Sequence, residues 1–292
     1  MPSGREGRLS RRTAVTLVGA FAATACDQLA FFAANAPARF GAHTRHTDLS
    51  YGDAPEQRLD VYVPKRASLR PRPLVVFWHG GRWRFGDKAE YRFAGAALSE
   101  IGCVAVLPNY RHFPHVRMQG FLDDAARAAR WACDHTGAYG ADPARVFLMG
   151  HSAGAHLAAM LALDPRYFAA HGAAPPLAGL IGLSGPYDFL PLLEEDVKDM
   201  FGPPERYPES QPINFVHAGA PPALLIHGIR DDTVWPKNSR NLATALAARG
   251  VPVRLELYPH LGHADTVAAM SEVARRRAPT LEQVAEFVGA HA

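Results

Sequence analysis

Serine, histidine and aspartate become a catalytic unit only when a fold brings them together, and one serine here sits in a context suited to that. The stretch Val146-Phe-Leu-Met runs into Gly150-His151-Ser152-Ala153-Gly154, and an Ala/Leu/Met-rich run to Leu163 follows at once. The pattern predicts a strand, a sharp turn with Ser152 at its apex, and a helix. G-x-S-x-G alone is a weak signal; between a strand and a helix it reads as a turn that presents a nucleophile. Gly150 and Gly154 are needed because the turn brings two backbones together where a Cβ would clash. Ser152 is expected to be strained, which lifts its Oγ above the sheet edge. The Ala153 N–H then lies at a helix N-terminus, placed to donate to a developing oxyanion.

A serine hydroxyl is a poor nucleophile unless a base takes its proton. The base belongs in a loop past the last strand, where the chain reads Tyr258-Pro-His-Leu-Gly-His-Ala-Asp265. His263 is the expected base, with His260 as alternative; most of the 14 histidines have no such role. A buried carboxylate must orient the imidazole. Asp231, in His227-Gly-Ile-Arg-Asp-Asp-Thr-Val234, is the first choice, Asp232 the second and Asp188 the third, the last read as structural or pocket-lining. The second oxyanion donor is expected in His79-Gly80-Gly81-Arg82-Trp83, after the apolar run Leu74–Trp78, from the N–H of Gly80 or Gly81. His79 reads as a buried anchor for that loop.

The elements that must position these residues are legible as hydrophobic runs. Thr47–Tyr51 and Arg58–Val63 read as strands, the second with clear alternation. Leu74–Trp78, Cys103–Leu107, Val146–Met149, Leu180–Leu183, Ala223–Ile226 and Val253–Tyr258 read as further strands, several apolar throughout, as strands covered on both faces are. Between them Ala89–Ile101, Met118–Thr136, the run after Ser152 and Asn238–Arg249 read as helices, the last stopped by Gly250. Alternation of strand and helix implies an α/β fold: a mostly parallel central sheet with helices on both faces. The first two strands lack an intervening helix and should pair antiparallel at one edge. Tyr187–His217, rich in proline and charge, reads as a small cap insertion above the sheet.

Composition narrows the remaining classes. The chain has 292 residues, 48% of them hydrophobic and 20% charged, which suits one large domain. The net charge is +3 and the longest basic cluster is Arg275-Arg276-Arg277, so nucleic acid is not suggested as a partner. Cys26, Cys103 and Cys133 match no zinc spacing and no disulfide scaffold; the latter two read as buried free thiols. At the N-terminus, Arg5, Arg8, Arg11 and Arg12 precede the uncharged stretch Ala14–Ala25, and small residues end at Cys26. A basic segment, a short apolar core and small residues mark an export signal. Residues 1–26 are therefore expected to be an export signal or a lipoprotein signal or anchor, residues 27–45 a tether, and residues 46–292 the enzyme domain. Ala23-Thr24-Ala25-Cys26 resembles a bacterial lipoprotein cleavage site, which would make Cys26 a lipid acceptor and the chain a membrane-tethered protein outside the cytoplasm.

From about Gln57 to Asp265 the chain resembles the α/β-hydrolase superfamily, and within it small carboxylesterases of the feruloyl-esterase-like, kynurenine-formamidase-like and isoprenylcysteine-methylesterase-like group. The carrying segments are His79-Gly-Gly-Arg-Trp83, Pro108-Asn-Tyr-Arg111, Tyr139-Gly-Ala-Asp-Pro143, Gly150-His-Ser-Ala-Gly-Ala-His156 and His227-Gly-Ile-Arg-Asp231 with Val234. Asn109 stands where relatives often have Asp. The resemblance implies hydrolysis of a small-molecule ester or amide through an acyl-enzyme, without metal or organic cofactor. An arylformamidase is the alternative within enzymes, and a non-catalytic exported binding protein on the same fold is the alternative outside them. Trp83, His151, Phe113, Tyr187 and Trp235 are the candidate walls of the substrate pocket.

Overall fold

The computed structural model describes residues 31, 33–38, 41–172 and 175–291. The central element is an eight-stranded sheet: β1 (His43–Ser50), β2 (Arg58–Pro64), β3 (Arg72–Trp78), β4 (Val104–Pro108), β5 (Ala141–His151), β6 (Leu177–Leu183), β7 (Ala223–Gly228) and β8 (Val253–Tyr258). Their spatial order is β1-β2-β4-β3-β5-β6-β7-β8. β1 pairs antiparallel with β2, and β2 antiparallel with β4. The other neighbours are parallel.

Side chains along the apolar strands alternate between two cores. Leu74, Val76 and Trp78 of β3 join one, with helix Met118–Asp134, helix Ala153–Leu163 and Leu242 and Leu246 of helix Lys237–Ala248. Val75 and Phe77 join the other, with helix Arg92–Glu100 and helix Thr280–Ala290. Burial on both faces explains the continuous apolar runs. Helix Ala153–Leu163 is buried at every position, because it lies between the sheet and helix Met118–Asp134.

Topology decides where a site can form. The chain steps from β3 outward to β4, then returns to the other side of β3 for β5. Such a reversal leaves a crevice at the carboxyl ends of the two strands. Trp78 pairs with Gly150 in register, so the turn after β3 and the turn after β5 emerge side by side. His151 pairs with Leu183, Leu183 with Ile226, and Gly228 with Tyr258. Every loop with a candidate residue therefore leaves the same sheet edge.

Several boundaries differ from those expected, including the start of β5, at Ala141 rather than Val146. β1 starts at His43 rather than Thr47, and residues 33–38 are helical, with Ala34 buried. Phe31 stacks on Phe93, and Asn35 bonds the carbonyl oxygens of Ala89 and Glu90 and the N–H of Phe93. These described residues of the expected 27–45 tether pack on the domain because Tyr91 and Phe93 offer an apolar seat. The helix expected over Ala89–Ile101 is a 3-10 turn, Lys88–Tyr91, capped by Asp87 and followed by helix Arg92–Glu100. Residues 1–26, with the expected signal and Cys26, lie outside the described residues. Among the described residues no helix is long and apolar enough to cross a membrane.

Candidate active site

Ser152 stands between the last residue of β5 and helix Ala153–Leu163, at φ 55° and ψ −123°. Positive φ is unfavourable for a residue with a Cβ. The turn imposes it: a Cβ on Gly150 would lie 2.2 Å from the Gly154 carbonyl, and one on Gly154 would lie 2.0 Å from the Trp78 oxygen. The Ser152 N–H donates to the Leu183 carbonyl at 2.9 Å, and its own carbonyl accepts from Ala155 and His156. Thus the neighbouring strand and the first helical turn hold the strained residue from both sides.

The Ser152 Oγ is 2.8 Å from His263 Nε2, and His263 Nδ1 is 2.8 Å from Asp231 Oδ2. The carboxylate can only accept, so Nδ1 carries the proton and Nε2 offers its lone pair to the serine hydroxyl. Asp231 Oδ1 accepts from the N–H groups of Thr233 and Val234, at 3.0 and 2.8 Å. Burial pushes the Asp231 carboxyl up. Hydrogen bonds from His227 and His263 outweigh it and hold the group well below the usual carboxylate range. Asp232 is exposed, Asp188 accepts from Asn241 Nδ2, and His260 reaches the Arg277 carbonyl at 2.9 Å. Only Asp231 and His263, of the candidates weighed, meet at Ser152.

His227 was not singled out from the sequence. Its Nε2 lies 3.1 Å from Asp231 Oδ2 and 2.8 Å from the Val234 carbonyl, both acceptors, so that nitrogen carries the proton. It steadies the same carboxylate oxygen that His263 uses. A histidine at the end of a buried strand, four residues before the aspartate, was the available signal.

Of the two glycines expected to offer the second oxyanion donor, one is engaged. Gly80 N–H is taken by the Tyr91 hydroxyl at 3.2 Å. The N–H groups of Gly81 and Ala153 have no hydrogen-bond partner among the described residues. A Cβ on Gly80 would press on Tyr91 Oη at 3.0 Å and on Ser152 Cβ at 3.1 Å, so those side chains would have to yield. Gly81 has φ 129°, and a Cβ there would meet the Phe85 carbonyl oxygen at 1.9 Å. His79 anchors the loop as expected: its Nδ1 lies 2.7 Å from the Gly80 carbonyl and its ring stacks on Tyr110. Burial pulls its pKa down to about 4.

A cleft of about 320 Å³ opens beside Ser152 and Ala153, lined by Trp83, Phe189, Leu190, Leu192, Val234 and Trp235 among others. Trp83 is a buried wall, whereas Trp235 stands at the mouth with 63% of its surface exposed. His151 and Tyr187 are not walls. His151 lies behind the serine, with Nδ1 3.0 Å from Tyr91 Oη and Nε2 3.1 Å from the His263 carbonyl. Burial pulls its pKa down to about 3. Tyr187 is fully buried because the turn at Ser184 (φ 49°) folds its ring under Gly182 and Gly185, which lack the Cβ that would collide with it. Phe113 lies under the Arg84 guanidinium, away from the lining. Asn109 bonds its structural neighbours: its Oδ1 accepts from Lys88 N–H, its Nδ2 donates to Asp87, its N–H donates to the Arg58 carbonyl and its carbonyl accepts from Tyr51 Oη. Cys103 and Cys133 are free thiols, whose pKa values burial pushes up to about 12 and about 11. Among the described residues no cluster of His, Cys, Asp or Glu is arranged to hold a metal ion.

The cap consists of helix Glu195–Phe201 and the 3-10 segments Pro204–Ser210 and Pro212–Phe215. It is latched to the loop after β3 by the ion pairs Arg82–Glu194 and Arg84–Asp196, and to the start of helix Met118–Asp134 by Arg117–Asp199 at 2.6 Å.

The parallel sheet, the strained serine and its hydrogen-bonded histidine and aspartate are the arrangement of the α/β-hydrolase superfamily. Comparison with known proteins narrows this. A family model described as BD-FAE matches residues 59–246, and the chain belongs to that family. It is similar to a probable isoprenylcysteine alpha-carbonyl methylesterase, ICMEL1, of Arabidopsis thaliana: 31% identical over 239 residues, covering 74% of this chain and 50% of the relative. It is also 32% identical to the esterase LipC of Mycobacterium tuberculosis, covering 82% of this chain and 63% of that one. The chain thus spans about half to two thirds of the length of these relatives. Among solved structures, Thermogutta terrifontis esterase 2 superposes with a TM-score of 0.70 at 26% identity, covering 85% of this chain and 94% of that one. Esterase B from Lactobacillus rhamnosis gives 0.76 at 21% identity, covering 96% and 97%, and shares the fold.

Proposed function

We propose that the protein is a carboxylic ester hydrolase that works through an acyl-enzyme on Ser152. The observation that carries this reading is the continuous hydrogen-bonded chain Ser152–His263–Asp231 at the base of an apolar cleft. As Ser152 Oγ attacks the ester carbonyl, His263 Nε2 takes its proton, and Asp231 stabilises the imidazolium. The N–H groups of Gly81 and Ala153 receive the oxyanion; each such donor contributes on the order of 3 kcal/mol. His263 passes the proton to the departing alcohol, which leaves the acyl group on Ser152. Water, deprotonated by His263, then attacks the acyl carbonyl and restores the serine. The resemblance to proteins named as esterases supports an ester over an amide.

The test is a panel of p-nitrophenyl esters, a methyl ester of an apolar acid and N-formylkynurenine, assayed with wild type and Ser152→Ala. Ester turnover by the wild type, its loss in Ser152→Ala and fluorophosphonate labelling of the wild type alone are expected. Turnover confined to N-formylkynurenine would make the protein a formamidase, and absence of both turnover and labelling would make it a binding protein.

For the N-terminus we propose export with tethering at Cys26. The arginine-rich start, the apolar Ala14–Ala25 and the small residues before Cys26 support it. Cell fractionation of the full chain and of Cys26→Ala tests this: wild type in the membrane fraction and the variant released is the expected result.

A further inference from the structure

His156 lies one helical turn beyond Ser152, is wholly buried, and has no part in the proton transfers above. Its two ring nitrogens hold two different parts of the molecule. Nδ1 is 3.3 Å from Trp83 Nε1, and Nε2 is 2.8 Å from the Ser210 carbonyl. The indole nitrogen can only donate and the carbonyl can only accept, so Nε2 carries the proton and Nδ1 accepts. Burial pulls the pKa down to about 4, which keeps the ring neutral and the lone pair available at neutral pH. On the cap side the chain of bonds continues: Gln211 Nε2 donates to Ser210 Oγ at 2.7 Å, and Gln211 Oε1 accepts from the Phe189 N–H at 2.7 Å. Trp83 and Phe189 are stacked with ring centroids 6.0 Å apart, and both line the cleft.

We infer that His156 is a positioning residue that sets the shape of the substrate cleft, clasping Trp83 through one ring nitrogen and the Ser210–Gln211–Phe189 chain through the other. The inference rests on the ester-hydrolase reading and deepens it, by assigning what holds the wall against which the apolar part of the ester lies. Phe121 and Phe201 pack against the Trp83 indole, with ring centroids 6.3 and 4.9 Å away, and the bond to His156 is what fixes its N–H. Arg82 and Trp83 have φ 53° and 58°, a left-handed pair that large side chains rarely adopt. Without the bond to His156 the indole keeps its apolar packing but loses the contact that sets its tilt, and the wall it makes with Phe189 shifts. Esters small enough to reach Ser152 without touching that wall lose less than those that fill the cleft.

The test compares methyl acetate, hexyl acetate and methyl hexanoate by pH-stat, with wild type, Trp83→Phe, His156→Gln and the double variant. Gln keeps a donor for the Ser210 carbonyl, but its amide oxygen does not occupy the ring Nδ1 position that faces Trp83; Phe retains a ring and loses the N–H. The expected result is a fivefold or greater fall in preference for a six-carbon ester over methyl acetate in each single variant, through KM more than kcat. The double variant should be no worse than either single one, since both remove the same bond. Equal losses on all three esters, an unchanged preference, or additive losses in the double variant overturn the inference. Trp83→Phe keeps the test open if His156→Gln folds poorly. Wild type inactive on all three esters and unlabelled by fluorophosphonate overturns the ester-hydrolase reading with it, whereas active wild type with uniformly affected variants overturns the clasp alone.

Discussion

Asp231→Asn keeps the shape of the site and changes one atom, so its effect can be worked out from the contacts. Asp231 Oδ1 accepts from two backbone N–H groups, at 3.0 and 2.8 Å, while Oδ2 accepts from His263 and His227, at 2.8 and 3.1 Å. With the amide nitrogen turned toward the backbone, two buried donors lose their acceptor, at about 1–3 kcal/mol each. Turned the other way, the His227 Nε2–H loses Asp231 but keeps the Val234 carbonyl at 2.8 Å, and His263 can shift its proton to Nε2 and accept at Nδ1. The second orientation therefore wins, and it leaves His263 donating to Ser152 rather than accepting from it. An imidazole in that tautomer cannot take the serine proton; the loss expected is about 10⁴-fold in kcat, or ~5 kcal/mol of barrier. The assay is p-nitrophenyl butyrate turnover at neutral pH, with a thermal melt to show that the variant is folded. A folded Asp231→Asn enzyme within tenfold of wild type would refute the tautomer argument.

The remaining predictions concern the scaffold. His79, His151 and His156 have pKa values pulled below the ordinary histidine value, to about 4, 3 and 4. The unfolded chain therefore binds protons that the folded chain refuses, and stability, full above about pH 6.5, falls on acidification toward those lower values. Each contributes on the order of 2 kcal/mol of loss by pH 5, and urea melts at pH 7 and pH 5 should show a strong drop; equal midpoints would contradict the neutral burial of these rings. Ser152→Gly removes the penalty of φ 55° and should raise the melting temperature by a few degrees, about 1 kcal/mol, while abolishing turnover. Gly150→Ala puts a methyl 2.2 Å from the Gly154 carbonyl, so both the soluble yield and the melting temperature should fall.

The strands and helices were legible because the runs are long and their periods distinct. Val75 and Phe77 face one core while Leu74, Val76 and Trp78 face the other, so the sequence shows a solid apolar block for β3. β1 was misjudged at its start because His43–His46 is polar and mostly exposed at an edge, where no hydrophobic pattern marks a strand. The N-terminal contacts of Phe31 and Asn35 had no sequence signal, since their partners lie more than fifty residues away. Tyr187 resembled a pocket residue by type and place, but the positive φ at Ser184 turns it inward. Gly80 and Gly81 were indistinguishable as donors until the Tyr91 hydroxyl occupied one of them.

By itself the sequence determined the order of strands and helices, the glycine-flanked turn that strains Ser152, and a short set of candidates for its base and acid. Those are local properties, written in period, residue size and the need for glycine where backbones touch. The tertiary structure alone decided that Asp231 rather than Asp232 meets His263, that His227 and Tyr91 belong to the site, and that His151 faces away from the cleft. Those outcomes depend on which way a side chain points after a turn and on what a distant loop places beside it, and hydrogen bonds at 2.8 Å are set by that geometry rather than by composition.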